Sequence, residues 1–399
     1  MLNFQKLSAD YQQALLRQIV PFWQKNGCDK QCGGYFDLLS AAGEPIQGDK
    51  FIALQAQQAW AFSWLYNNFD GQPKWIEHAR HGIDFLSQFA HDARLNCYAQ
   101  VDRRGRPVAP HENIIPDSFA VMAYTQFHQA TGEDEWAMLA KQTFSNLLRR
   151  WDDVRLEHTQ AIGGFRHVWH LSEPTAALKA LLDSKSLLDE ETWKETAETI
   201  LQRLLREFLD RRTDTLREFI LPDGGFINTP EGRRQNVGLT FQTANFLLDL
   251  CAESGNRKLS MQALAWCLRL CEQAWDEVSG GLNEFIDTKE SPSILPYSGK
   301  WAWVQLEAIA VLLKGYFYTR HPDCPKWFKR IHDYTFEHFP DQKHLGWHLL
   351  IDTHKQPLLS AKTIPTVGCF SLIRCLAETS QLLVQCGQLQ PVGRGVRVA

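Results

Sequence analysis

The stretch DGGFINTPEGRRQNVGLTFQTANFLLDL, from Asp223 to Leu250, shows the pattern that decides the fold. It begins with a Gly-Gly-aromatic turn, continues as a polar loop, and ends in a helical segment that is apolar nearly all round. A helix without a polar face must be surrounded by protein. The stretch therefore predicts a turn that is followed by a buried helix.

Similar turns recur along the chain, including a GGFRH turn that begins at Gly163. The markers of the six turns are Gly34, Ala99, Gly164, Gly225, Gly281 and Trp347. Successive markers are 65, 65, 61, 56 and 66 residues apart. A period this regular indicates a repeat architecture rather than two or three unrelated domains.

Two kinds of helical pattern alternate around the markers. Before each marker the pattern is amphipathic, which predicts outer helices at 9–22, 74–89, 133–151, 189–209, 257–275 and 325–339. After each marker the pattern is apolar nearly all round, which predicts inner helices at 51–65, 117–124, 174–182, 239–250, 303–316 and 369–383.

Six outer and six inner helices predict an all-α fold in which the helices form a closed double ring, with short β-hairpin-like turns at one end. An open helical solenoid is the alternative. The ring would form a single domain over residues 1–386. Residues 387–399, GQLQPVGRGVRVA, have little apolar periodicity and are predicted to be a mobile tail.

Composition limits the possible ligands and the cellular setting. A net charge of −4 predicts no basic surface for nucleic acid or an anionic membrane, so a small neutral ligand is expected. The first residues, MLNFQKLSADYQQALLRQ, lack the features of a signal peptide, and no apolar stretch is long enough to span a bilayer. We therefore expect a cytoplasmic protein.

The ten cysteines are expected to be buried as small hydrophobic residues. Cys28 with Cys32, and Cys267 with Cys271, lack the spacing and the histidine partners of a zinc site. No metal and no cofactor are predicted.

Polar side chains on the apolar inner helices are the candidates for a site, because every inner helix begins at the same mouth of the ring. Glu307 is the sole charge in WVQLEAIAVLL, and an unpaired buried carboxylate is costly. It is predicted either to pair with Arg374 or to act on a ligand. Gln57 and Gln242 could hydrogen-bond hydroxyl groups or cap neighbouring backbone groups.

Several residues near the inner-helix starts have both a functional and a structural interpretation. Asn113 and Asp117 flank the NIIPD turn and could bind a ligand, although Asp117 also suits a helix N-terminus. His170 lies three residues before Glu173, a spacing at which a carboxylate can orient an imidazole. Trp301 and Trp303 offer flat faces for a sugar ring or belong to the core.

Segments that contain these residues resemble the N-acylglucosamine 2-epimerase family. They include DKFIALQAQQAW (49–60), NIIPDSFAVMAY (113–124), PDGGFINTPEGRRQNVG (222–238), KWAWVQLEA (300–308) and GCFSLIR (368–374). The likeness extends over about residues 5–385. It implies an (α/α)6 barrel, commonly a homodimer, that binds a small neutral sugar.

The resemblance implies two histidines that exchange a proton at C2 of an open-chain sugar, a task for which imidazole has a suitable pKa. In the expected Gly-His-x-x-Glu motif, Leu239 and Gln242 replace the histidine and the glutamate. In the expected Gly-Cys-Phe-His-x-x-Arg motif, Ser371 replaces the histidine. Gln57 stands where a pocket arginine is expected.

Two functions follow as hypotheses. The first is a catalytically degenerate barrel that binds a sugar-like ligand or a protein partner. The alternative is an active sugar 2-epimerase or aldose-ketose isomerase in which His170, His348 or Glu307 transfers the proton. A glycoside hydrolase would need two opposed carboxylates, of which Glu307 alone is well placed.

Overall fold

Helices of two kinds alternate along the computed structural model, which describes residues 2–46, 48–110, 113–157, 168–221, 223–226, 228–289 and 299–388. In chain order the helices are α1 (Phe4–Ala14), α2 (Val20–Asn26), α3 (Ile52–Leu65), α4 (Pro73–Phe89), α5 (Ile115–Thr131), α6 (Asp134–Glu157), α7 (Ser172–Asp183), α8 (Glu190–Arg203), α9 (Pro230–Arg233), α10 (Val237–Ser254), α11 (Arg257–Ala274), α12 (Ala302–Thr319), α13 (Cys324–His338) and α14 (Phe370–Gln388). A π-helical turn, Leu15–Ile19, joins α1 to α2. Each predicted outer and inner helix is found.

The six inner helices form a closed ring. Helix α3 packs on α5, α5 on α7, α7 on α10, α10 on α12 and α12 on α14, and α14 returns to contact α3. The outer helices α1–α2, α4, α6, α8, α11 and α13 complete the second layer. This arrangement is the (α/α)6 barrel, so the open solenoid is excluded.

Among the inner helices, α5 and α14 extend furthest beyond their predicted ends. Helix α5 continues to Thr131, where Gly132 with φ of 72° terminates it. The prediction ended at Tyr124 because polar residues follow, yet Phe127 is fully buried. Helix α14 continues to Gln388, and residues 389–399 of the predicted tail lie outside the described residues, as does the GGFRH turn.

Short strands cover one end of the barrel, in the loops that lead from outer to inner helices. They are β1 (Leu39–Ser40), β2 (Lys50–Phe51), β3 (Gln100–Val101), β4 (Pro107–Ala109), β5 (Trp169–His170), β6 (Leu209–Asp210), β7 (Thr215–Leu216), β8 (Phe219–Ile220), β9 (Arg234–Asn236), β10 (Phe285–Asp287), β11 (Lys300–Trp301), β12 (Leu350–Ile351) and β13 (Ala361–Thr363). All their pairings are antiparallel.

Only two of these pairings, β3 with β4 and β6 with β7, are hairpins within one loop. The others join the loops of successive units: β2 with β3, β5 with β8, β9 with β10, and β11 with β12. Strand β13 of the last unit pairs with β1 of the first. Among the described residues, strand pairings therefore join every pair of neighbouring loops except the second, which contains β3 and β4, and the third, which contains β5.

Three of the loops contain the same pairing of a turn aspartate with a buried lysine. The pairs are Asp29–Lys50, Asp276–Lys300 and Asp341–Lys362, with N–O distances of 3.2, 3.0 and 2.7 Å. Each aspartate also accepts hydrogen bonds from two backbone N–H groups of its own turn. Since each lysine lies in a strand that pairs with a neighbouring loop, the pair ties the turn to the strand network.

None of the helices in the described ranges is both long enough and apolar enough to cross a membrane. The cysteines are unpaired, and eight of the ten are buried, as the composition predicts.

The Asp341–Lys362 pair predicts how stability depends on pH. Burial alone would raise the pKa of Asp341, but hydrogen bonds from Lys362 and from backbone N–H groups lower it to about 2. Because this pKa is below the unfolded value of about 4, Asp341 stabilises the fold above about pH 4, and that contribution is lost as the pH falls towards 2. Asp341→Asn should remove this contribution.

The variant leaves Lys362 buried and unpaired, so we expect it to cost about 3–5 kcal/mol in the free energy of unfolding near pH 7. Urea unfolding followed by circular dichroism measures the loss. The matched control is Asp333→Asn, whose partner Lys329 is exposed, and it should change stability by less than about 1 kcal/mol. Equal losses in the two variants would contradict the role of the pair.

Candidate functional site

A cavity of about 330 Å³ opens at the loop face of the barrel, where the inner helices begin. All six inner helices contribute to its wall through Gln57, Phe119, Lys179, Gln242, Trp303 and Ser371. Glu284 and Trp301, from the loop before α12, line it as well. The cavity combines aromatic surface with a few polar groups, as small-molecule sites usually do.

The carboxylate of Glu307 on α12 lies in a fully buried polar cluster at this end of the barrel. Its Oε1 accepts hydrogen bonds from Gln242 Nε2 at 2.8 Å and from Ser371 Oγ at 2.7 Å, while Arg374 donates to Oε2. Burial alone would raise the pKa of Glu307, but the charge of Arg374 lowers it. The predicted Glu307–Arg374 ion pair is confirmed.

Arg374 is itself fully buried and also donates to Glu378 at 2.9 Å. Its guanidinium lies over the rings of Phe246 and Phe370. Neither Arg374 nor Glu307 lines the cavity wall. Instead, Glu307 accepts hydrogen bonds from the wall residues Gln242 and Ser371, and Arg374 lies over the ring of the wall residue Phe370.

Lys179 on α7 is one of two ionisable residues of this cavity wall that the sequence prediction missed. Its Nζ donates to Gln242 Oε1 at 3.0 Å and lies 4.6 Å from the centre of the Phe119 ring. Burial, aided by the charge of Arg374, lowers the pKa of Lys179 to about 7, although Glu307 opposes the shift. The lone charge in PTAALKALL (174–182) meets the criterion that singled out Glu307.

Leu239 and Ser371, which replace the two expected histidines, both line the cavity and are each 9% exposed. The Leu239 side chain has no proton to exchange. The hydroxyl of Ser371 donates to the carboxylate of Glu307. The two positions therefore face the ligand space without an imidazole.

His170 is half-buried next to the cavity. Its Nδ1 lies 2.5 Å from the hydroxyl of Ser172, which lines the wall, and its Nε2 lies 3.3 Å from Oε1 of Glu218. Glu218 also pairs with Arg234. Glu218, from the neighbouring loop, is thus a carboxylate partner of His170 that the sequence pattern did not indicate, because the two are 48 residues apart in the chain.

Other predicted site residues lie elsewhere. His348 is 3.9 Å from Asp341, in the sixth loop, and is not part of the cavity wall. Asp117 is fully buried, accepts from Arg150 at 2.7 Å and from the backbone of Cys97, and does not line the wall. Asn113 accepts from the backbone N–H of Ile115, as a residue at a helix start does.

Glu284 is a second ionisable wall residue that the sequence pattern did not indicate. Burial raises the pKa of its carboxyl group to about 7, against the opposing effect of a hydrogen bond from Trp301. Its place in the chain, in the segment GGLNEFID (280–287), precedes the apolar helix and shows no periodicity that would mark it. Within the described ranges no group of three His, Cys, Asp or Glu side chains is placed to hold a metal ion.

The fold and the cavity define a closed helical barrel with a ligand pocket at its loop face. The chain belongs to the N-acylglucosamine 2-epimerase (GlcNAc 2-epimerase) family, whose model matches residues 34–366. It is 28% identical over 382 residues to the N-acylglucosamine 2-epimerase of Mus musculus, an alignment that covers 92% of this chain and 90% of the mouse protein.

Two solved structures show the same fold. Cellobiose 2-epimerase from Spirochaeta thermophila DSM 6192 superposes with a TM-score of 0.85 and 17% identity, over 96% of this chain and 98% of that one. A D-mannose isomerase superposes with a TM-score of 0.81 and 16% identity, over 94% and 97%. At these identities the likeness defines the barrel and not the chemistry in it.

The Glu307 cluster predicts a stability effect. Glu307→Gln removes one of the two carboxylates that compensate Arg374, the other being Glu378, so we expect a loss of about 3 kcal/mol or more in the free energy of unfolding. The double variant Glu307→Gln with Arg374→Met should recover part of this loss, because the fully buried guanidinium, which the single variant leaves with Glu378 alone, is removed. Chemical denaturation of the native protein, the two single variants and the double variant measures both effects.

The matched control is Glu253→Gln, which breaks an exposed pair with Lys185 and should cost less than about 1 kcal/mol. A Glu307→Gln variant as stable as the native protein would show that the cluster does not hold the inner helices together.

Proposed function

We propose that this chain is a sugar-binding member of its family that does not exchange the C2 proton through the expected pair of histidines. The proposal is carried by one observation: the cavity is intact, while Leu239 and Ser371 occupy the two wall positions that would need imidazole. A positioned general acid or base contributes roughly 10²- to 10⁴-fold in rate. The loss of both groups favours binding over rapid turnover.

Several wall groups suit a neutral sugar. Trp301 and Trp303 supply aromatic surface of the kind on which a pyranose ring stacks. Gln57 and Ser371 can hydrogen-bond hydroxyl groups. Since Gln242 is already engaged by Glu307 and Lys179, we assign it to the positioning of its neighbours rather than to direct contact with ligand.

A second candidate function is favoured by Glu284. A carboxyl group with a pKa of about 7 in the cavity wall can both accept and return a proton near neutral pH. The chain would then be an epimerase or aldose-ketose isomerase with a changed acid/base group. His170 would contribute through Ser172, the wall residue that its ring contacts.

Proton exchange at C2 separates the two functions. The native protein is incubated in deuterated water with N-acetylmannosamine, N-acetylglucosamine, mannose, glucose and fructose, and loss of the C2 proton signal (for fructose, of the C1 proton signals) is followed by NMR. For a binding protein we expect no exchange above buffer, because neither of the two expected histidines is present in the cavity wall. The variant with Leu239→His and Ser371→His should gain exchange.

The matched control, Leu239→Phe with Ser371→Asn, changes the same positions without adding a titratable group and should stay inactive. Exchange catalysed by the native protein would contradict the first proposal. If that exchange disappears in Glu284→Gln, the second candidate function is supported.

The cellular setting follows from the same reasoning. We propose a homodimer in the cytoplasm, where ten unpaired cysteines are maintained in the reduced state. If no sugar of the panel raises the unfolding temperature, a protein partner becomes the better hypothesis.

A further inference from the structure

Lys179 differs from the other buried lysines in its surroundings. Lys50, Lys300, Lys314 and Lys362 each lie beside an aspartate. No carboxylate in the described part of the chain lies within ion-pair distance of Lys179, whose amine is instead held by the amide oxygen of Gln242. A lysine that lines a cavity without a carboxylate partner is unusual, because a buried ammonium ion is costly.

The orientation of the Gln242 amide is determined by Glu307. Since the carboxylate of Glu307 accepts a hydrogen bond, the NH₂ group of Gln242 must face it, and the amide oxygen is left to face Lys179. A neutral amine that donates one hydrogen to this oxygen keeps its lone pair. The nitrogen can then act as a nucleophile.

Burial and the nearby cation of Arg374 favour an uncharged nitrogen, whereas the aromatic faces around Nζ attract an ammonium ion. The rings of Phe119, Phe370 and Phe246 lie 4.6, 5.5 and 5.8 Å from Nζ, and the cation of Arg374 belongs to the same cluster. Two of these rings, Phe119 and Phe370, line the cavity next to Lys179. Amines desolvated in this way, close to another cation, are the ones that attack carbonyl groups in proteins.

We propose that Lys179 captures the open-chain form of an aldose as an imine. This inference rests on the proposed sugar-binding function and specifies the substrate class as sugars with a free aldehyde. The amine nitrogen of Lys179 forms a bond to C1, and the carbonyl oxygen takes up a proton to give a carbinolamine. Loss of the hydroxyl group with the second amine proton, as one water molecule, then yields the C=N bond.

The imine is tested by reductive trapping. Native protein is mixed with mannose or N-acetylmannosamine and sodium cyanoborohydride near neutral pH, and intact mass and peptide mapping locate the product. Reduction leaves a secondary amine, so the mass increases by that of the sugar less one oxygen atom. A lysine with a pKa near 7 has on the order of 10³-fold more neutral amine at pH 7 than an ordinary one.

We therefore expect Lys179 to be modified at least about tenfold more than any other lysine. The product should be absent in Lys179→Met, which keeps an unbranched side chain one atom shorter and without the amine. Mannitol, which has no carbonyl group, should not modify the native protein but should slow trapping by mannose. The peptide map of the native protein decides the question even if Lys179→Met does not fold.

Binding is measured separately by saturation-transfer NMR with mannose and with mannitol. If both bind but modification is spread over surface lysines, the imine is wrong and the binding function stands. If neither the aldoses nor mannitol bind and nothing is trapped at Lys179, both the imine and the proposed function are wrong.

Discussion

The buried carboxylate of Glu307 needs hydrogen-bond and charge partners, and these partners determine how the helices are arranged at the cavity end of the barrel. Glu307 lies on α12, and its partners come from the helices on either side, Gln242 on α10 and both Ser371 and Arg374 on α14. A buried charge must be compensated where it lies, so the three helices cannot rotate independently. The side chains that they present to the cavity are fixed as a consequence.

The cluster connects the two replaced motifs to each other and to Lys179. Ser371 and Gln242, which replace expected family residues, both donate to Glu307. Because the NH₂ group of Gln242 faces Glu307, its amide oxygen faces Lys179 and accepts a hydrogen bond from it. The two replacements are therefore connected, because both side chains are hydrogen-bonded to the same carboxylate. The replacing side chains are thus structurally compatible with the charges buried around them.

The barrel was predictable because a helix that is apolar on every face can be stable only inside other helices, and six such patterns recur at a near-constant period. Site residues on those helices could be predicted because a single charged residue stands out in an apolar helix. This criterion identified Glu307 and would have identified Lys179. Glu218 and Glu284 lie in loops, where no periodicity marks a residue that faces a cavity. The Asp–Lys pairs and the pairing of neighbouring loops could not be predicted. They join residues that are far apart in the chain, and a local sequence pattern carries no information on such contacts.

The pairing of β13 with β1, together with the contact of α14 with α3, has a consequence for folding. In an open array of repeats each unit contacts only its neighbours, so the ends can fray and order can spread from any point. Here the first and last units are neighbours, and neither is complete until the chain has closed on itself. The barrel should therefore gain its final stability in a late step of high contact order, and removal of one unit would open the ring rather than shorten it.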